Sequence, residues 1–506
     1  MTRTTLYRGG PVYTPADPTA TALLVEGDRI GWLGPAADAP HADTVVDLDG
    51  ALVTPAFVDA HVHSTSTELT LRGLDLAGTR SAVEVLERLS AFAATLPPDA
   101  VVLGHGWDES GWSAPVPPAP GELDRAASGR RVYLSRADVH SAVVSSALLS
   151  RVAPDRGGYG DDGWLRRDAH HDARTIALAS VSPAQRADAQ RAFLSHAASL
   201  GIACVHECAG PVISSEEDLT GLLSFSREGG VPAVHGYWGE LGAAAKARDL
   251  GAIGAAGDLF ADGAFGSHTA HVRKPYEDRD TGGHGYLSAA QVADHLVDCQ
   301  KHGVQGGFHA IGDAALSTVL AGFALAAART SVERVRAARH RIEHAELLDK
   351  ALIGGLVEFG IVASVQPAFD RLWGGTAGMY NTRLGAERAL AANPFGAMAG
   401  VGVALAFGSD APVTPLDPWG AVRAAVEHHN PVQRLGIRQA FAAHTRGGWR
   451  AAGDDTHGVL APGAPATFAA WQGAGPLVRG LPVLDVTPTC TTTVLRGEKI
   501  HGEVPT

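Results

Sequence analysis

Thr54-Pro55-Ala56-Phe57-Val58-Asp59-Ala60-His61-Val62-His63 is an apolar run that ends in two histidines one residue apart. Read as a strand, its side chains alternate faces, so His61 and His63 point the same way about 7 Å apart along the chain. Two imidazoles so placed suit one metal ion. The competing reading is a pair of surface histidines held by ordinary hydrogen bonds. What separates the two is whether the rest of the chain supplies further ligands.

Downstream of this run, strand and helix patterns alternate, as in a parallel sheet with covering helices. Strands are expected to end near His63, Glu207, Trp238, Gly263, Ala310, Ala345, Pro367 and Ala411. Helices are expected at 214–228, 239–250, 288–303, 314–330, 346–359 and 387–400. Eight parallel strands with outer helices predict an α/β fold of the (β/α)8 TIM-barrel type over residues 56–457. The interval from His63 to Glu207 is too long for a structureless loop. It carries helix patterns at 81–95 and 183–200 and strand patterns at 101–107 and 132–137. Residues 66–180 are therefore expected to form an insertion over the barrel mouth. Short strands at both ends of the chain, residues 1–55 and 458–506, predict one composite β-sandwich, neither end forming a sheet alone.

Composition limits the function classes. With 506 residues, 45% apolar content and a mean hydropathy near zero, the chain reads as globular with a large core. A net charge of −13 argues against nucleic acid or an anionic membrane as partner. Four cysteines make no disulfide framework, and Met1–Gly10 lacks a signal-peptide pattern, so a reduced, cytoplasmic protein is expected. A homodimer is compatible with the sequence.

In such a barrel the chemistry collects at the C-terminal strand ends. Gly306–Asp313 ends the fifth strand on His309, His340–Glu346 ends the sixth on His344, and Ala406–Pro412 ends the eighth on Asp410. Singly, either histidine reads as a core residue and Asp410 as a helix cap. Together with His61 and His63 on one face they read as ligands of a divalent ion, with zinc the best match. Asp410 is expected to take a proton from water and return it to a leaving group. His344, if not a second-metal ligand, would donate to a carbonyl oxygen or to the hydroxide. Trp107, Trp112, His140, Phe369 and Trp373 are candidates for a substrate wall, as are Asp108 and Asp262.

This pattern, HxH on strand one, His on five and six and Asp on eight, resembles the amidohydrolase superfamily. Ala261–Ala270, Phe308–Asp313, Arg341–Glu346 and Gly408–Pro412 resemble its YtcJ-like branch, which includes N-substituted formamide deformylases. Gly106-Trp107-Asp108 and Asp138–Ala142 are similar to that branch's insertion motifs. The resemblance implies a metal-dependent hydrolase cleaving a C–N bond of a small amide, formamide or cyclic amide. Heterocycle deamination and metal binding without catalysis are the alternatives. Many members carry a carbamylated lysine on strand four that bridges two metals. That position here is Asp258, and none of the five lysines lies on a barrel strand. The shorter aspartate is expected to lack a bridge's reach and to accept a hydrogen bond from a ligand histidine instead, leaving one tightly held ion.

Overall fold

The computed structural model describes residues 3–109, 112–137 and 141–502, apart from the side chains of residues 167 and 171. Eight parallel strands form one sheet. In chain order they are β1 Phe57–Val62, β2 Ile202–Ala209, β3 Ala233–Trp238, β4 Gly254–Ala255, β5 Gln305–Ala310, β6 Arg341–His344, β7 Val362–Val365 and β8 Ala404–Phe407. Each pairs with its neighbours in sequence, and a Val62–Ala411 bridge joins the last to the first. The Asp410 amide donates to His61 O at 2.8 Å, and the His63 amide to Ala411 O at 3.0 Å. Closure depends on Gly408, where a Cβ would lie 2.5 Å from the His61 nitrogen. This is a TIM-type barrel.

Helices follow the strands for reasons visible in the residues. Ser215, Ser288 and Asp349 cap the helices Glu216–Glu228, Ala289–His302 and Lys350–Phe359, each accepting from a first-turn amide. Gly303 and Gly360 end the last two in the left-handed conformation. The helix expected at 387–400 is two short ones, Ala386–Ala391 and Phe395–Gly400, because Pro394 interrupts the pattern. The fourth strand also departs from expectation. It ends at Ala255 rather than near Gly263, since Gly257 takes φ +82° and the chain swings away before touching β5 again at Phe260.

Residues 4–8, 22–26, 29–34 and 44–47 make a four-stranded sheet of their own, contrary to the expectation that neither end of the chain would. Residues 4–8 pair antiparallel with 22–26 and parallel with 44–47, so this sheet closes without the other end of the chain. The second sheet is mixed in origin: Leu52–Pro55 pairs with Phe468–Gln472, which pairs with Thr489–Leu495 and so with Glu498–His501. Tyr7, Leu23, Ile30, Val53, Phe468 and Val494 bury one core between these sheets. Ser64–Phe193 form a separate compact unit. Its five-stranded sheet and the helix Ala82–Ala93 enclose Leu89, Trp107, Val132 and Leu134.

Burial pushes His235, His340 and His444 down to about 4. These rings fold neutral, whereas the unfolded chain protonates them below about 6.5. Unfolding then takes up protons between pH 6.5 and 4, so stability falls as pH drops through that window. Each ring contributes on the order of 3 kcal/mol across the whole interval. Denaturant midpoints are expected to decline steadily from pH 7 to pH 4; a flat profile would contradict the assignment.

Candidate metal centre

Four imidazoles and two carboxylates meet at the C-terminal end of the barrel. His61 Nε2 lies 3.4 Å from Asp410 Oδ1 and 3.5 Å from Asp258 Oδ1. His63 Nε2 lies 3.2 Å from Asp410 Oδ1 and 3.2 Å from Asp258 Oδ2. His309 Nδ1 and His344 Nε2 approach Asp258 Oδ1 at 3.5 and 3.7 Å. All six residues are buried.

Local backbone explains how neighbours in sequence reach one centre. Glu343 and His344 would face opposite sides of a regular strand. His344 adopts φ +70°, which breaks the alternation and lets both point inward. Asp410 sits at φ +56° just beyond β8. Left-handed conformations at non-glycine residues cost about 1–3 kcal/mol, and they gather at working sites.

Each imidazole is fixed from behind. His61 Nδ1 donates to Glu343 Oε2 at 2.9 Å, His63 Nδ1 to Cys208 O at 3.0 Å and His344 Nδ1 to Gln366 Oε1 at 2.8 Å. His309 donates from Nε2 to Gly263 O at 3.3 Å. With those protons held outside, the opposite ring nitrogens turn four lone pairs towards the centre. His61 Nε2, His309 Nδ1 and Asp258 Oδ1 are buried without a hydrogen-bond partner. Glu343 is itself held by Arg341, through Nε at 2.5 Å and an Nη at 2.9 Å. Burial opposes its charge, but Arg341 and His61 bring its pKa down to about 2.

The electrostatics call for a cation. Burial works against charge on His61, yet Cys208, Asp258 and Asp410 raise its pKa well above the ordinary range. His63 and His309 are raised against burial as well, chiefly by Asp258. Asp258, despite burial, is held well below the carboxylate range by His61, His309 and His344. A divalent ion fits this donor set. A tetrahedral zinc with bonds of 2.0–2.1 Å needs ligand atoms about 3.3–3.4 Å apart. The contacts of His61 and His63 with Asp258 and Asp410 run from 3.2 to 3.5 Å.

Two expectations change here. Asp258 does not stand behind the imidazoles, because the turn at Gly257 carries its carboxylate in among them. The shorter side chain predicted a lack of reach, but the backbone brings Asp258 within 3.7 Å of four imidazoles. His344, in its neutral form, presents a lone pair at Nε2 and accepts rather than donates, since Gln366 holds its proton on Nδ1.

The substrate-wall candidates separate. Phe369 stacks on His344 with ring centroids 5.8 Å apart, and Trp373 packs on Phe369 at 4.7 Å. Asp262 is fully buried and accepts from the amides of His271, Ile311 and Gly312, so it holds the loop after β5. Trp107 is buried in the core of the 64–193 unit with Trp112, and their indoles donate to Leu134 O and Thr79 O. Asp108 pairs with Arg136 at 2.7 Å. His140 lies outside the described residues. Sequence reading missed Glu343, Gln366 and Arg341 as supports, although charged or amide side chains in or beside apolar strands were a usable signal.

Comparison with known proteins agrees with this geometry. A family model described as "Amidohydrolase family" matches residues 44–501. The chain is 25% identical to the putative amidohydrolase YtcJ of Bacillus subtilis, covering 92% of this chain and 94% of that protein. It is also 25% identical to the N-substituted formamide deformylase of Arthrobacter pascens, covering 80% of each. An uncharacterized metal-dependent hydrolase from Pyrococcus furiosus superposes with a TM-score of 0.77 at 24% identity, covering 92% of this chain and 98% of that one.

Proposed function

Since the chain belongs to the amidohydrolase family and is a metal-dependent hydrolase acting on carbon–nitrogen bonds, we propose that it cleaves the amide bond of a small, linear or cyclic amide. The observation that carries this reading is the set of four imidazole lone pairs facing two carboxylates. We propose zinc as the ion, one equivalent held by His61, His63 and Asp258, which leaves a coordination position open beside Asp410. A divalent ion there supplies Lewis acidity, polarising a carbonyl and lowering the pKa of a water molecule towards neutrality.

The residues do the rest. Asp410 Oδ1 faces the two imidazoles of β1, which leaves Oδ2 to take the proton of the attacking water. The same oxygen returns that proton to the nitrogen as the C–N bond breaks, so water and amide become acid and amine. His344 Nε2 accepts a second hydrogen bond from the water, and Phe369 keeps the ring's other face dry. Glu343 and Gln366 hold the tautomers throughout. A cytoplasmic location, in keeping with four free cysteines, completes the proposal. Among the described residues no helix is long and apolar enough to cross a membrane.

The test is a panel of amides, cyclic amides and aminoheterocycles assayed before and after chelation. Activity should vanish with the metal, return with zinc, and release one carboxylate per amine. Ammonia from an aminoheterocycle without new carboxylate would point to deamination instead. Full activity after complete metal removal would end the metal-dependent reading.

A further inference from the structure

Beside the centre lies a cleft of about 560 Å³ with Asp258 in its wall. It is built by the loops that follow β2, β3 and β4, where specificity in a barrel of this kind is set. Val212, Leu241, Leu259, Phe260 and Tyr286 supply its side chains. Three of these stand open to solvent: Val212 is 75% exposed, Tyr286 49% and Leu241 37%. Exposed apolar side chains grouped around one hollow mark a surface that something covers. The Phe260 ring packs on His309 with centroids 4.7 Å apart, so the apolar wall continues to the ligands.

Among the described residues lining the cleft there is no cationic side chain. Glu240 in the wall is held by the Trp238 indole at 2.7 Å and by Lys246 at 2.8 Å. Lys246 also pairs with Glu216 at 2.7 Å, which leaves this cation between two carboxylates. Asp262 is taken up by three backbone amides. The charged side chains lining the cleft are thus carboxylates already partnered, and the lining holds no cation to receive a negative group.

We propose that this cleft is the specificity pocket of the hydrolase and takes an uncharged, apolar substituent of the amide, excluding one that carries a carboxylate. The inference rests on the amide-hydrolase reading above, and it goes further by naming the substituent and the side chains that select it. Val212, Leu241 and Phe260 discriminate, while the metal centre serves every amide alike.

Zinc-loaded protein should be assayed on acetamide, N-(2-phenylethyl)acetamide and N-acetylphenylalanine, the last adding only a carboxylate to the second. The phenylethyl amide should exceed acetamide in kcat/KM by at least about 100-fold, given that a methylene in an apolar pocket brings about 10–200-fold. It should exceed N-acetylphenylalanine by more than 10-fold, as should follow from an unpartnered charge in an apolar cleft. V212D and L241D, both at exposed positions, should cut the ratio of phenylethyl amide to acetamide at least tenfold. Equal rates, a preference for the carboxylate, or an unchanged ratio would overturn the proposal while leaving amide hydrolysis standing. If none of the three is hydrolysed, saturation-transfer NMR with neutral 2-phenylethanol decides the cleft by itself. Binding to the wild type that is lost in the V212D/L241D double variant supports it, and equal or absent binding refutes it.

Discussion

Asp258→Asn should yield a folded protein that keeps little zinc through dialysis and loses more than about 100-fold in kcat/KM. The substitution preserves shape but replaces one oxygen by an amide group and removes the charge. The amide protons would then face imidazole nitrogens that offer lone pairs only if the ring protons stay where Glu343, Cys208 O, Gln366 and Gly263 O hold them. A residue that merely supports a ligand typically costs about 10–100-fold when changed. A ligand lying within 3.7 Å of four imidazoles should cost more. Metal analysis after dialysis, a circular-dichroism melt and rates at several zinc concentrations make the measurement. Full zinc content with less than a tenfold loss would return Asp258 to a supporting role.

The second large effect is expected at Asp410. Asp410→Asn should lower kcat by about 10²–10⁴-fold, the range for a positioned acid–base group, even at saturating zinc. That condition separates the two aspartates. Excess zinc should recover part of the Asp258→Asn activity, because the defect there is occupancy. It should recover none at Asp410, where the missing function is a carriage of protons. Recovery of both by zinc would make Asp410 a ligand alone.

The barrel and most of the centre were legible because their signals are local. His61, His63, His309, His344 and Asp410 each end an apolar run, and the order of those runs follows the order of strands in a closed parallel sheet. The position of Asp258 was not legible, since it depends on a turn at Gly257 whose added Cβ would press on Cys208, more than 40 residues away. Nor were the outer partners. Glu343 lies beside His344 in sequence yet holds His61, 282 residues distant, and only the folded barrel brings them together. The tryptophans of the 64–193 unit show the opposite limit. A Trp that packs a core and a Trp that walls a substrate look alike in sequence, and hydrogen bonds to Leu134 O and Thr79 O decided for packing.

The pairing of Leu52–Pro55 with Phe468–Gln472 has a temporal consequence. The strand that leads into β1 finds its sheet partner only about 410 residues further along the chain. His61 and His63 leave the ribosome about 350 residues ahead of Asp410. At 5–20 residues per second this is an interval of about 20–70 s. Throughout that time β1 lacks the β8 side of its pairing, and the strand before it has no sheet to join. Contacts so distant in sequence make for slow closure and for exposed strand edges while the chain waits. Synthesis rate and chaperone supply, more than the composition of the finished core, should then govern how much active protein a cell recovers.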